Sequence, residues 1–298
     1  MKPTVISFVN MKGGVAKTTT TVGLATVLSG DFKKNVLVID LDPQTNATGM
    51  LMGEEAWEKQ AEAGHTLGTL FYDAALGTST FSITDSIQKN VSKIKGVDTL
   101  DLLPSDTHLM DLEFQFANPG KDQILQPLTM DILEKALSSV MENYDYILID
   151  CPPNLGMFTL NGLKISNYYI IPTIPDILST RGLYSLIHRV PLFAENVECL
   201  GIVYTKVKKT VSLHQQMIAD IARKTKAPSD FWEKMNGNYI SVPIFKTIFY
   251  ESNNVAQAAY YVGVNSLLKK WGNHGHYDSL RDFAKEIMEK TEKGGQPS

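Results

Sequence analysis

Six short runs rich in branched and aromatic residues recur along the chain, at 4–10, 35–42, 99–104, 144–150, 168–173 and 200–205, each separated from the next by enough residues for a helix. Strands spaced this way read as a parallel sheet with helical crossovers rather than as hairpins. Two runs, Val36-Leu37-Val38-Ile39 and Tyr146-Ile147-Leu148-Ile149, are apolar at consecutive positions. Such strands must be covered on both faces and belong in the middle of the sheet. Between the runs, residues 17–29 read as a helix closed by Gly30, and 128–142 as another with apolar residues at helical spacing. The expected fold class is α/β, a mostly parallel central sheet with helices on both faces.

Several classes are excluded at this level. The most apolar stretch, 168–177, is interrupted by Pro172, Pro175 and Asp176, well short of the roughly 18 residues a membrane span needs. The apolar run at the N-terminus leads directly into a glycine-rich basic loop and reads as a strand, not a targeting segment. Cys151 and Cys199 are the only cysteines, which leaves no disulfide framework or Cys-x-x-Cys site and suits a reducing cytoplasm. His274 and His276 read as solvated surface. With 28 Lys plus Arg against 32 Asp plus Glu, the net charge is −4, so contact with a polyanion must come from a local patch. No linker divides the chain, and residues 1–298 read as a single domain with insertions at 49–96 and 206–237.

The segment Asn10-Met11-Lys12-Gly13-Gly14-Val15-Ala16-Lys17-Thr18-Thr19 lies between the first strand and the first helix. That is the setting of a phosphate-binding loop. Gly13 and Gly14 let the backbone turn so that successive N–H groups face phosphate oxygens, aided by the positive end of the helix. Lys17 would reach the β and γ phosphates, and the Thr18 hydroxyl would ligate Mg2+. The usual G-x-x-x-x-G-K-[ST] pattern is not met, because Met11 and Ala16 stand at its two glycine positions. Asp40 and Asp42, two apart at a strand's end, share a face from which both can approach a metal-bound phosphate. Asp150 follows the apolar run 146–149 and would hold Mg2+ as a Walker B carboxylate does.

Three blocks together resemble the deviant Walker A family of ATPases that includes ParA, Soj and MinD. They are Lys12-Gly13-Gly14 with Lys17-Thr18, Asp40-Leu41-Asp42-Pro43-Gln44-Thr45-Asn46, and Asp150-Cys151-Pro152-Pro153-Asn154-Leu155-Gly156. The resemblance implies a P-loop NTPase-like fold and hydrolysis of ATP with Mg2+. It implies that the loop 12–19, including Val15, Ala16 and Thr19, holds the nucleotide, and that Asp42 is the hydrolytic residue. Asp40 then supports the metal or the neighbouring loop. Lys12 would cross a dimer interface to the partner's nucleotide, so that ATP drives dimerisation. Thr205 and Pro243 lie near where such a fold contacts adenine.

Residues 206–226 hold Lys206, Lys208, Lys209, Arg223, Lys224 and Lys226 against one acid, Asp220. With Lys246 they form a candidate surface for DNA phosphates, which demands charge but no reading of bases. The resemblance implies a partition ATPase of the small class: a homodimer on ATP, bound to DNA without sequence preference on the nucleoid, and released when a ParB-like adaptor stimulates hydrolysis. The alternative is a MinD-like membrane-associated or cargo-positioning ATPase. Against its membrane form, residues 278–293 carry four cations and five acids with Leu280, Phe283, Ile287 and Met288 at helical spacing, a balance that suits packing on the chain's own core.

Overall fold

In a computed structural model of the chain, residues 2–117, 125–208, 210–226, 242–252, 258, 264–272 and 275–293 are described. Their strands are β1 (Thr4–Phe8), β2 (Val36–Asp40), β3 (Leu100–Leu103), β4 (Tyr146–Asp150), β5 (Tyr168–Thr173), β6 (Glu198–Val207) and β7 (Ile244–Tyr250). They form one sheet in the order β3-β2-β4-β1-β5-β6-β7, parallel at every pairing. The expected α/β class holds, and the six anticipated runs are its first six strands. The seventh, Ile-Phe-Lys-Thr-Ile-Phe-Tyr, was not anticipated, because Lys246 and Thr247 break its apolar pattern.

Period-two alternation sends successive side chains to opposite faces. Val5, Leu37, Ile39, Ile147 and Ile149 enter one core, while Ile6, Phe8, Val36, Val38 and Leu148 enter the other. On the first face lie α4 (Leu67–Leu76), α6 (His108–Ala117), α7 (Ile132–Leu137), α8 (Met157–Ile165) and α9 (Ile177–Phe193). The second face is covered by α1 (Lys17–Gly30), α2 (Asn46–Met52), α11 (Leu267–Trp271) and α12 (His276–Lys293). Short helices α3 (Glu54–Glu62) and α5 (Ile83–Ser86), a 3-10 turn at Met141–Asn143 and the basic α10 (Ser212–Lys226) complete the described elements.

Within 49–96, α3 buries nothing, whereas α4 buries Leu67, Leu70 and Phe71 in the first core. That part of the segment is structural to the sheet face. The helix expected over 128–142 is shorter: α7 ends at Leu137, where the Ser138 hydroxyl turns back onto the Lys135 carbonyl at 2.9 Å, a local bond that competes with helix continuation. His276 also differs from expectation, since its ring packs against Phe249 and Trp271 at 5.1 and 5.8 Å between centroids; His274 lies outside the described residues.

The last helix is tied firmly to the sheet. Leu280, Phe283, Ala284 and Ile287 of α12 are wholly buried, and Phe283 meets Phe245 and Phe249 edge-on. Trp271 is fully buried and its indole N–H donates to the Thr26 hydroxyl at 3.0 Å, linking α11 to α1. Trp271→Ala should destabilise the fold by about 3–5 kcal/mol, read as a fall in the urea midpoint, with Trp271→Phe losing less.

Candidate phosphate-binding site

The strand order decides what meets at the carboxyl edge of the sheet. Leaving β1 the chain skips to β2 and β3, then returns through β4 between β2 and β1. Phe8 and Asp40 both register against Asp150. The loop after β1 and the acids ending β2 and β4 therefore converge at a switch point, where open α/β sheets place their ligands.

The loop 10–16 is braced from both sides. Asn10 Nδ2 donates to the Pro172 carbonyl at 2.7 Å, and its Oδ1 accepts the Lys12 N–H at 2.9 Å. The Thr205 hydroxyl donates to the Val15 carbonyl at 2.9 Å, across from β6. Gly14 has φ +74°, and a Cβ built on Gly13 or Gly14 would meet nothing within 4 Å. The space is open, so these glycines are not dictated by packing within the chain; they clear room for close approach to the backbone. Lys17 is 7% exposed, its ammonium resting on the Asn10 carbonyl at 3.3 Å.

A cleft of about 790 Å³ opens over this loop. Gly13, Gly14, Ala16, Lys17, Thr18 and Thr19 line it on one side, and Asp42, Gln44, Thr45, Asn46 and Pro153 on the other. Lys206 and Trp57 also face it. Five non-glycine residues among those described have positive φ, and three of them, Ala16, Thr45 and Lys206, line this cleft. Strained backbone of this sort gathers at ligand sites.

The three acids differ in environment. Asp40 is wholly buried: Oδ2 accepts the Thr48 N–H and hydroxyl, both at 2.8 Å, and Oδ1 accepts the Asp42 N–H at 3.2 Å. Its carboxylate is thus engaged by the loop after β2. Burial, and next the charge of Asp150, hold its pKa well above the usual carboxylate range. Asp42 lines the cleft, accepts the Gln44 N–H at 3.0 Å, and is raised by burial against the pull of that bond and of Lys17. Asp150 is wholly buried and neither of its oxygens has a hydrogen-bond partner. Burial pushes it up to about 7, with the nearby Thr18 hydroxyl and Lys17 ammonium partly offsetting the shift. Buried polar atoms left unpaired in a native fold call for a ligand, water or ion. A buried acid beside a threonine hydroxyl suits a hard divalent cation with oxygen ligands.

Other expected residues lie elsewhere. Lys12 points to the start of α9, where its ammonium pairs with Asp176 at 2.6 Å. Pro243 accepts the Ile202 N–H at 2.8 Å on the neighbouring strand and does not line the cleft. Of the basic residues, Lys206 faces the cleft, Lys208 pairs with Glu251 at 3.4 Å, and the Lys246 N–H donates to Glu286 at 3.0 Å. Lys209 lies outside the described residues, as do the side chains of Arg223, Lys224 and Lys226, although all three belong to α10.

Ser105 had no sequence signal beyond its place after β3. Its hydroxyl donates to the Asp42 carbonyl at 2.7 Å, its N–H to the Thr48 hydroxyl at 3.0 Å, and its carbonyl accepts the Trp57 indole at 3.0 Å. One serine thus fixes Asp42, the Asp40 loop and the far wall.

Residues 3–200 match the family model described as AAA domain. The chain is 31% identical to the sporulation initiation inhibitor protein Soj of Bacillus subtilis over 223 residues, 74% of this chain and 79% of Soj. Among solved structures, cobyrinic acid a,c-diamide synthase of Mycobacterium smegmatis with bound ATP analogue and magnesium aligns at TM-score 0.69 and 21% identity, over 98% of this chain and 96% of that one. A putative plasmid partition protein of Borrelia burgdorferi bound to AMPPNP aligns at TM-score 0.65 and 21% identity, over 97% and 100%. Both share the fold.

The sign of the Asp150 shift makes a prediction for the protein without nucleotide or metal. An unfolded aspartate loses its proton near 3.8 and this folded one near 7, so folding favours the protonated form and stability from this group falls as pH rises between those values. Asp150→Asn should therefore gain in stability on the wild type from pH 5 to pH 8, measured by urea midpoints. A difference that does not change with pH would contradict the assignment.

Proposed function

The chain belongs to the ParA/Soj family of deviant Walker A ATPases, and on that footing we propose that it is an ATP-driven partition ATPase acting on DNA through nucleotide-controlled dimerisation. The observation that carries the reading is the pair of unpartnered oxygens of Asp150, buried beneath an open glycine loop and beside Thr18 and Lys17.

In this reading Lys17 exchanges the Asn10 carbonyl for the β and γ phosphates of ATP, and the loop N–H groups cradle the same oxygens. Thr18 and Asp150 would hold Mg2+, which when bound would supply positive charge against the phosphates. Asp42 orients the attacking water and accepts its proton; its raised pKa makes it a better acceptor than a solvated aspartate. Asp40 acts through the loop it holds. Lys12, held by Asp176 outside its own cleft, serves the nucleotide of a second copy.

The dimer would contact DNA phosphates without sequence preference, chiefly through α10 and its flanks, and a ParB-like adaptor would stimulate hydrolysis to release it. Little favours attachment to lipid. The apolar face of α12 is spent on the core, and no helix among the described residues is long and apolar enough to cross a membrane.

Binding of unrelated double-stranded DNA with ATP, ADP or no nucleotide, at two salt concentrations, tests this function. Tight, salt-sensitive binding with ATP alone is expected; equal or absent binding in all three states would refute it. Asp42→Ala should retain ATP affinity within a few-fold while single-turnover hydrolysis slows by about 10²–10⁴. Lys12→Ala should bind ATP yet remain monomeric by light scattering, and a dimer of normal affinity would remove the role given to this lysine.

A further inference from the structure

The register between β2 and β3 ends with Ile39 beside Leu103, so two residues further on the chain past Leu41 runs alongside Ser105 with no ladder of backbone bonds between them. A side chain takes over there. Ser105 is wholly buried, and its hydroxyl donates to the Asp42 carbonyl at 2.7 Å. Two further main-chain bonds of Asp42 are local: its N–H donates to Asp40 Oδ1 at 3.2 Å, and its carbonyl also accepts the Thr45 N–H at 2.9 Å. A turn closed only on itself can pivot as a unit about the end of β2. The hydroxyl of a residue 63 positions away removes that freedom by tying the turn to the loop after β3. The Asp42 carboxylate, which lines the cleft, is thereby carried on a main chain fixed from two strands.

The same serine is also held from the cleft wall. Its carbonyl accepts the Trp57 indole N–H at 3.0 Å, while the Trp57 ring lines the cleft and packs on the second core. Helix α3, which carries Trp57, buries none of its residues and is flanked by Gly53 and Gly64 at φ +79° and +72°. A side chain of this outlying helix is thus hydrogen-bonded to the residue that holds Asp42. We propose that Ser105 is a positioning residue for ATP hydrolysis, holding Asp42 where it can orient the attacking water, and that Trp57 acts on Asp42 through the Ser105 carbonyl. This rests on the ATPase reading and on the role of Asp42 within it.

Ser105→Ala removes the hydroxyl while the Asp42 carbonyl keeps the Thr45 N–H, so no buried group is left unpaired and the chain should fold. Single-turnover hydrolysis and calorimetric ATP affinity, both with Mg2+ and the full chain, would compare the wild type with Ser105→Ala, Trp57→Phe and the double variant, and Asp42→Ala with and without Ser105→Ala. Ser105→Ala should slow hydrolysis by about 10–100-fold, the scale of a small misplacement of a catalytic group, with the Kd for ATP unchanged. Trp57→Phe keeps a ring and loses the N–H; it should slow hydrolysis less, and the double variant should lose no more than Ser105→Ala alone. In the Asp42→Ala background, Ser105→Ala should cost nothing further. A wild-type rate in Ser105→Ala, rate and affinity falling by one common factor, or a further loss in the Asp42→Ala background would each overturn the proposal and leave the ATPase reading standing. Losses from Trp57→Phe and Ser105→Ala that add in full would overturn the part given to Trp57. Hydrolysis undiminished in Asp42→Ala would remove the role of Asp42 itself, and the proposal with it.

Discussion

Asp40 and Asp150 face one another across β2 and β4 with no exposed surface, and much of the surrounding architecture follows from having to accommodate both. Two carboxylates at neighbouring positions in a sheet repel strongly where water cannot screen them. The chain answers one of them. Thr48 gives Asp40 an N–H and a hydroxyl, which draws the loop after β2 into a short helix and sets Thr48 against Ser105. The other is left without a hydrogen-bond partner from the protein. Since a fully satisfied pair would have been cheaper, the free protein carries a cost that a bound dication beside Thr18 would relieve.

The same economy appears in the backbone. Ala16, Thr45 and Lys206 each hold a left-handed conformation that costs on the order of 1–3 kcal/mol, and all three border one cleft. Against this stand bonds that reach across the sheet: Asn10 to Pro172, Thr205 to Val15 and Ser105 to Asp42. Strands β1, β2, β5 and β6 and the loop after β3 thus share in holding two loops that would otherwise relax. Rigidity is concentrated where phosphate oxygens must be met by preset N–H groups, and it is supplied by strands whose side chains are packed on both faces.

What could be read in advance divides along physical lines. Runs such as 36–39 and 146–149 announce central strands because burial on both faces leaves no polar position, whereas β7 carries Lys246 and Thr247 and looks like surface. The loop residues and acids stand in sequence blocks dense enough to fix their neighbourhood, yet the division of labour between Asp40 and Asp150 depends on which finds a donor, and Thr48 and Ser105 lie eight and sixty-five residues from Asp40. Ser105, Trp57 and Asn10 act through hydrogen bonds that no periodicity encodes. Lys206 was grouped with its basic neighbours because charge is visible in a sequence and the direction of a side chain is not.

That last point bears on how an acidic protein could hold DNA. The basic residues of 206–226 with Lys246 do not form one field. Lys246 lies four residues below Tyr250 along β7, roughly 13 Å from the level where Lys208 pairs with Glu251, beyond the Debye length of about 8 Å at physiological salt. The Lys208 ammonium has Glu251 beside it, and an exposed pair of that kind contributes little net potential, whereas Glu286 accepts the backbone N–H of Lys246. With Lys206 lining the cleft, the remaining charge of this stretch lies in the sequence at Lys209 and in α10, which carries three cations within its last four residues against Asp220. A helix that concentrates charge at its carboxyl end gains from its own dipole, and in a dimer two such ends would act together on one duplex. The salt dependence of binding should then follow α10, with Lys208 contributing little to the slope.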